Sequence, residues 1–221
     1  MIFDLDGVLV DSEIWWDEVR QAFAREHDRS WDDADRAAVM GANSRAWSNT
    51  MRERLDLRGL LPEEIEQAIV GGVVARFRRE GAPRIDGATE AVRRIARRHP
   101  VAVASSAHHD VIAAALSATG LDDVFAIVVS SDDVEHGKPA PDVYLETARR
   151  LGADPTACLV VEDSLNGVRA ARAAGMTVVL VPNAAVPPPA GTAELADVVL
   201  ERLVDLEPAA IVPRSAGSVT T

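Results

Sequence analysis

The 221-residue chain is 48% hydrophobic and 26% charged, the make-up of an ordinary globular protein long enough to bury a core without staples. Its formal charge of -12 leaves no basic footprint for nucleic acid or for an anionic membrane surface, so an anionic ligand must be held locally, against the overall field. One cysteine, Cys158, excludes an internal disulfide framework and a multi-cysteine zinc site, and no apolar run reaches the length of a membrane span.

Residues 2–5 alternate apolar and acidic and run into Gly7-Val8-Leu9-Val10, which predicts a short strand ending at Asp4 and a turn after it. Met1 to Val10 carries Asp4 and Asp6 and lacks a basic region and a cleavage site, so it does not read as a signal peptide; a cytoplasmic location is the expectation. So little chain precedes this strand that either the strand is very short or the natural start lies upstream of Met1. From Glu13 to Glu80 the pattern is helical. Trp15, Val19, Ala22 and Phe23 mark one apolar face, and Trp47, Met51 and Leu55 a second. Pro62-Glu63-Glu64 opens a further helix with Ile65, Ile69, Val73 and Phe77 on one side. Gly71-Gly72 within it reads as a site of close helix packing rather than a hinge.

After Gly81-Ala82-Pro83 helices alternate with short apolar runs. A helix from Ala88 precedes the run 101–104, one over 110–118 ends at Gly120 before the run 126–129, and one from Pro141 ends at Gly152 before the run 158–161. A helix over about 166–174 ends at Gly175 before the run 177–181, and residues 196–200 add a last strand. Repeated β-α units of this kind build a parallel sheet covered on both faces. The expected fold is α/β: a Rossmann-like parallel core from residues 1–12 and 81–207, with an all-helical cap inserted at 13–80. Residues 208–221 read as a disordered tail.

The polar residues that follow the strands share one edge of such a sheet. Asp4 and Asp6, Ser105 and Ser106, Lys138, and Glu162 and Asp163 therefore meet, although far apart in sequence. Four carboxylates in one place repel, and a hard divalent cation with oxygen ligands, Mg²⁺, resolves the conflict. Lys138 is the only lysine beside 22 arginines, which marks a place where a compact ammonium is needed. With the Ser105 hydroxyl and the amides that open the next helix, these are the parts for gripping a phosphoryl group, and a carboxylate aimed at it becomes its nucleophile.

The pattern resembles the haloacid dehalogenase superfamily, in its capped phosphatase and β-phosphoglucomutase-like branch. The matching stretches are Asp4-Leu5-Asp6-Gly7-Val8-Leu9-Val10-Asp11-Ser12, Ala104-Ser105-Ser106, Gly137-Lys138-Pro139-Ala140-Pro141-Asp142, and Val161-Glu162-Asp163-Ser164 with Gly167 and the run to Gly175. The resemblance implies a phosphatase that hydrolyses a small sugar-phosphate-like monoester through an aspartyl-phosphate. In it Asp4 is the nucleophile, Asp6 the general acid and then base, and Ser105 and Lys138 the holders of the phosphoryl oxygens. Asp4, Asp6, Asp163 and Glu162 hold or support Mg²⁺. Ser106, Trp16, His108 and Arg45, the last in a cap loop from Gly41 to Arg45, are candidate substrate contacts.

Three other readings stand beside it. A sugar phosphomutase of the β-phosphoglucomutase type shares the core, but mutases have a histidine near the position of Trp16. A serine hydrolase built on Ser105 or Ser106 with His108 or His109 lacks the G-x-S-x-G elbow. The third is a non-catalytic binding protein on the same fold. The expected partner is a small phosphorylated metabolite, with no nucleic acid and no membrane, and the chain is expected to be a monomer or weak dimer.

Overall fold

A computed structural model describes residues 1–40 and 42–211. Gly41 of the expected cap loop and residues 212–221 of the expected tail lie outside the described residues.

The apolar runs form six strands: β1 (Ile2–Phe3), β2 (Ala102–Ser105), β3 (Ile127–Ser130), β4 (Leu159–Glu162), β5 (Thr177–Leu180) and β6 (Val198–Val199). They pair in parallel throughout, in the order β3-β2-β1-β4-β5-β6. β1 is only two residues long yet lies at the centre, with Phe3 opposite Val103 on one side and Val161 on the other. The order of strands reverses at β1, and the crevice beyond β1 and β4 is where open sheets of this kind take ligands.

Side chains alternate across the sheet with a period of two. Phe3, Val103, Val161 and Val179 fall in one apolar cluster; Ile2, Ala104, Val160, Val178 and Leu180 fall in the other. The first cluster also contains α5 (Ala88–Ala96) and α6 (His109–Thr119), and the second α7 (Asp142–Leu151) and α8 (Leu165–Ala173). Gly120, Gly152 and Gly175 end or follow three of these helices with φ near +70°, the conformation in which glycine is least strained.

Among the described residues between 13 and 80 lie four helices and no strand: α1 (Glu13–Glu26), α2 (Asp33–Val39), α3 (Ser44–Arg54) and α4 (Pro62–Glu80). Asp32 and Asp35 form a reciprocal capping box on α2, Asn43 caps α3 and Pro62 occupies the first turn of α4. The Ile65, Ile69, Val73 and Phe77 face of α4 is buried as expected. Gly72 is a packing glycine, because a Cβ there would lie 2.7 Å from Val19 of α1; at Gly71 it would meet open space.

One expectation is corrected. The buried face of α1 is Trp16, Arg20, Phe23 and Ala24, displaced by one residue from the Trp15–Val19 stripe. A charged residue thus occupies a core position. At the start of the expected tail, Pro208–Ala210 form a 3-10 turn and Ile211 packs against the core. No helix among the described residues is long and apolar enough to cross a membrane.

Candidate active site

Strand parity places the acids. Asp4 follows Phe3, and its amide still pairs with the Val161 carbonyl at 3.0 Å, so its side chain shares the α7/α8 side with Glu162. Lys138 reaches the same point from the loop before α7. Its Nζ lies 2.6 Å from Asp4 Oδ1, 2.7 Å from Glu162 Oε1 and 3.2 Å from the Ala104 carbonyl. All three groups are buried.

Glu162 is fully committed. Oε1 accepts from Lys138 and from the Tyr144 hydroxyl, the latter at 2.7 Å. Oε2 accepts from the amides of Asp163 and Ser164 and from the Ser164 hydroxyl. The close fit requires Gly167, where a Cβ would lie 1.6 Å from Glu162 Oε1. Burial alone raises the Glu162 carboxyl, but Lys138 and the hydrogen bonds outweigh it and hold it below the usual range.

Asp163 is the opposite case. It is buried, no hydrogen bond among the described residues reaches its carboxylate, and burial with the charges of Glu162 and Asp4 drives it well above the usual range. Gly7, at φ +81°, leaves the space it occupies; a Cβ there would lie 1.9 Å from Asp163 Oδ2. Oxygens of Asp4, Glu162 and Asp163 all fall within 4.8 Å of one another. Lys138 supplies one positive charge for this group and is spent on Asp4 and Glu162. The all-oxygen, under-neutralised set fits a hard divalent cation. Since both Glu162 oxygens are occupied, the residues with room for the ion are Asp4 and Asp163, and Glu162 supports from below.

Asp6 stands beside this cluster and outside it. Its carboxylate accepts from the Ser12 hydroxyl. Burial pushes both Asp4 and Asp6 up to about 7, with Lys138 pulling Asp4 back down and the Ser12 hydroxyl and Trp16 indole doing the same for Asp6.

A cavity of about 220 Å³ joins Asp4, Asp6, Ser105, Ser106, Lys138 and Asp163, and the Pro187–Pro189 loop closes part of its wall. A smaller one of about 60 Å³ continues into the helical block and shares Asp6, Glu13, Met40 and Ser106 with it; Trp16, Arg20, Arg36 and Trp47 are among its other lining residues. Sequence reasoning singled out neither Tyr144, which reads as an ordinary core aromatic, nor Arg20, which reads as surface charge.

Other expected residues go elsewhere. Arg45 is exposed and lines neither cavity. Ser44 before it is pinned through its amide and hydroxyl to Asp132, at 2.8 and 2.7 Å, and this turns Arg45 outward. His108 caps its own helix by accepting from the Asp110 amide, and lines a separate cleft of about 800 Å³ between α4 and α6. His109 pairs with Asp133. Both histidines are thus held by acidic residues or their own helix start. The amides after Ser105 do not open a helix directly: α6 starts at His109, and the Ala107 amide is spent on Ser105 Oγ.

A model of the haloacid dehalogenase-like hydrolases matches residues 1–175. The fructose-1-phosphate phosphatase YqaB of Escherichia coli is 33% identical over 183 residues, which cover 81% of this chain and 94% of that one. The bifunctional riboflavin kinase/FMN phosphatase of Arabidopsis thaliana is 30% identical over 93% of this chain, but the chain spans only 54% of that protein's length. Among solved structures, CbbY from Rhodobacter sphaeroides in complex with phosphate superposes with a TM-score of 0.78 at 25% identity, covering 92% of this chain and 94% of that one.

Proposed function

The chain belongs to the haloacid dehalogenase-like hydrolases, and from that premise we propose that it is a Mg²⁺-dependent phosphatase hydrolysing a small, sugar-phosphate-like monoester. The observation that carries this reading is the buried Lys138 bridging Asp4 and Glu162, with Asp163 alongside and short of positive charge.

In the first half-reaction a carboxylate oxygen of Asp4 attacks phosphorus, the bond to the leaving oxygen breaks, and Asp6 gives that oxygen its proton. In the second, a water attacks the aspartyl-phosphate, Asp6 takes the water's proton, and the bond to Asp4 breaks to release phosphate. A carboxyl raised to about 7 is suited to both duties near neutral pH. Lys138 balances the charge of Asp4 and of the phosphoryl oxygens, and the Ser105 hydroxyl contributes a hydrogen bond. Asp4, Asp163 and the Asp6 carbonyl would hold Mg²⁺, which when bound would supply further positive charge to the phosphoryl oxygens. Transfer of this kind is mostly positioning and charge stabilisation. Trp16 lies against Asp6, where an indole N–H can donate but cannot take up a proton, which favours hydrolysis over the mutase reading.

The test is phosphate release over a panel of sugar phosphates and p-nitrophenyl phosphate, with Mg²⁺ and with chelator, and with Asp4→Asn as control. Release that needs the cation and falls by at least about 10³-fold in Asp4→Asn is expected. Full activity in Asp4→Asn would overturn the reading.

A further inference from the structure

We propose that Arg20 sets the substrate class, by receiving the carboxylate end of a phosphorylated small acid whose phosphate lies at Asp4. The proposal rests on the phosphatase reading for the position of the phosphate, and on Arg20 itself for the rest.

Arg20 is 8% exposed, on the buried face of α1. Its guanidinium carbon lies 5.1 Å from the Trp16 ring, 5.4 Å from Trp47 and 6.0 Å from Trp31, so three indoles box the cation. No hydrogen bond and no ion pair within 4 Å satisfies it among the described residues, and Nε is sealed from solvent without a partner. Burial lowers the group to about 10, which leaves it charged at neutral pH.

The carboxylates that face it are Glu13, Asp17 and Asp6. Asp17 is taken by Arg36, Gln21 and Trp31. Asp6 is taken by Ser12. Glu13 opens onto both cavities rather than closing on Arg20. Of the cations lining the two cavities, Lys138 and Arg36 have carboxylate partners in contact and Arg20 has none. Nε has lost its water and gained no acceptor, and an incoming anion supplies the contact partner that the guanidinium lacks.

The shape narrows the anion. The cavity beside Arg20 is small, about 60 Å³, and a planar carboxylate is compact and matches the guanidinium fork. Because Asp6, Glu13 and Ser106 line both cavities, one small molecule can place its phosphate at Asp4 and its far end at Arg20. Arg45, a candidate substrate contact by sequence, is exposed and lines neither.

The experiment compares kcat/KM within matched pairs that differ only at the far end: 3-phosphoglycerate against glycerol 3-phosphate, and 4-phosphoerythronate against erythritol 4-phosphate. In the wild-type protein with Mg²⁺ the acid is expected to exceed the alcohol by about 10- to 100-fold in at least one pair, the value of a charged hydrogen bond. In Arg20→Met that ratio falls to about one, and a general loss of folded protein cancels within each pair. If Arg20→Met does not fold, Arg20→Lys is read in the same way, since it keeps the charge and loses the fork. A wild-type ratio near one in both pairs, or a ratio unchanged by substitution, overturns the proposal while hydrolysis of p-nitrophenyl phosphate still upholds the phosphatase reading. If no ester is hydrolysed, that reading fails by itself, and tryptophan emission decides the matter of Arg20. Titration with 3-phosphoglycerate then shifts the emission of the Trp16, Trp31 and Trp47 box if Arg20 takes the carboxylate. A shift equal to that with glycerol 3-phosphate, or none, overturns it.

Discussion

Replacing Tyr144 by Phe isolates the anchor under the proposed nucleophile. The substitution removes one hydroxyl, whose hydrogen bond to Glu162 Oε1 is 2.7 Å long, and leaves the ring in place against Lys138, whose Nζ sits 4.9 Å from its centroid. A hydrogen bond to a charged acceptor contributes about 1.5–3 kcal/mol. Glu162 keeps Lys138 on the same oxygen and three donors on the other, so it is not orphaned, and the loss belongs at the low end, about 1.5–2 kcal/mol. At this chain length each kcal/mol moves Tm by about 2–4 °C, so a fall of about 3–8 °C is expected. Urea unfolding at neutral pH measures the same quantity as a lower midpoint at unchanged slope. With Lys138 less firmly held, kcat falls about threefold to tenfold, no more than about 1.4 kcal/mol of lost positioning. An unchanged or higher midpoint would refute the reasoning, because it would mean that Glu162 is not the ionised hub on which Lys138 and Tyr144 converge.

Gly7→Ala places a Cβ 1.9 Å from Asp163 Oδ2 at a φ of +81°, so Mg²⁺ affinity measured by titration calorimetry is expected to drop by at least about tenfold; retained affinity would show that Asp163 does not depend on that space. Burial raises Asp4 and Asp6 to about 7, so between about pH 4 and 7 the native carboxyls hold protons that the unfolded chain has released, and their share of stability falls as pH rises through that window. Without divalent cation, Asp6→Asn therefore stabilises the protein more at pH 8 than at pH 5 relative to wild type, and an equal shift of Tm at both would contradict the assignment. Asp132→Ala leaves the buried Ser44 amide and hydroxyl without their acceptor, at a cost of about 1–3 kcal/mol for each buried group; hydrogen exchange should quicken in the first turn of α3 and stay unchanged in α8.

The sequence is most legible where one residue type can do one thing. Asp4, Glu162 and Asp163 follow apolar runs directly and Lys138 comes shortly after one, and a parallel sheet carries such positions toward a common edge, where Lys138 bridges Asp4 and Glu162. Glycines after helices were readable for the same reason, since the left-handed turn there favours them. Legibility fails where a side chain's partner is itself set by tertiary packing. Tyr144 lies on the inner face of α7, where any large apolar residue satisfies the helical period, and only the position of Glu162 gives its hydroxyl a task. Gly167 sits in a helix, and its necessity appears only once Glu162 is seen folded back over it.

The two arginines of the helical block show the same division with opposite outcomes. Arg45 is preceded by Ser44, whose amide and hydroxyl are claimed by Asp132 of the core, so the start of α3 is fixed with its next residue outward. Arg20 interrupts the apolar period of α1, and a charge there argues for the solvent face by pattern alone. It lies inward because Trp16, Trp31 and Trp47 present aromatic faces to it, an environment that buries the side chain and seals its Nε without supplying an acceptor. A charge held on aromatic faces beside a small cavity is stabilised in part by the protein and in full only by an anion. A residue that the apolar period of α1 leaves out is therefore the one whose chemistry points most directly into the smaller cavity.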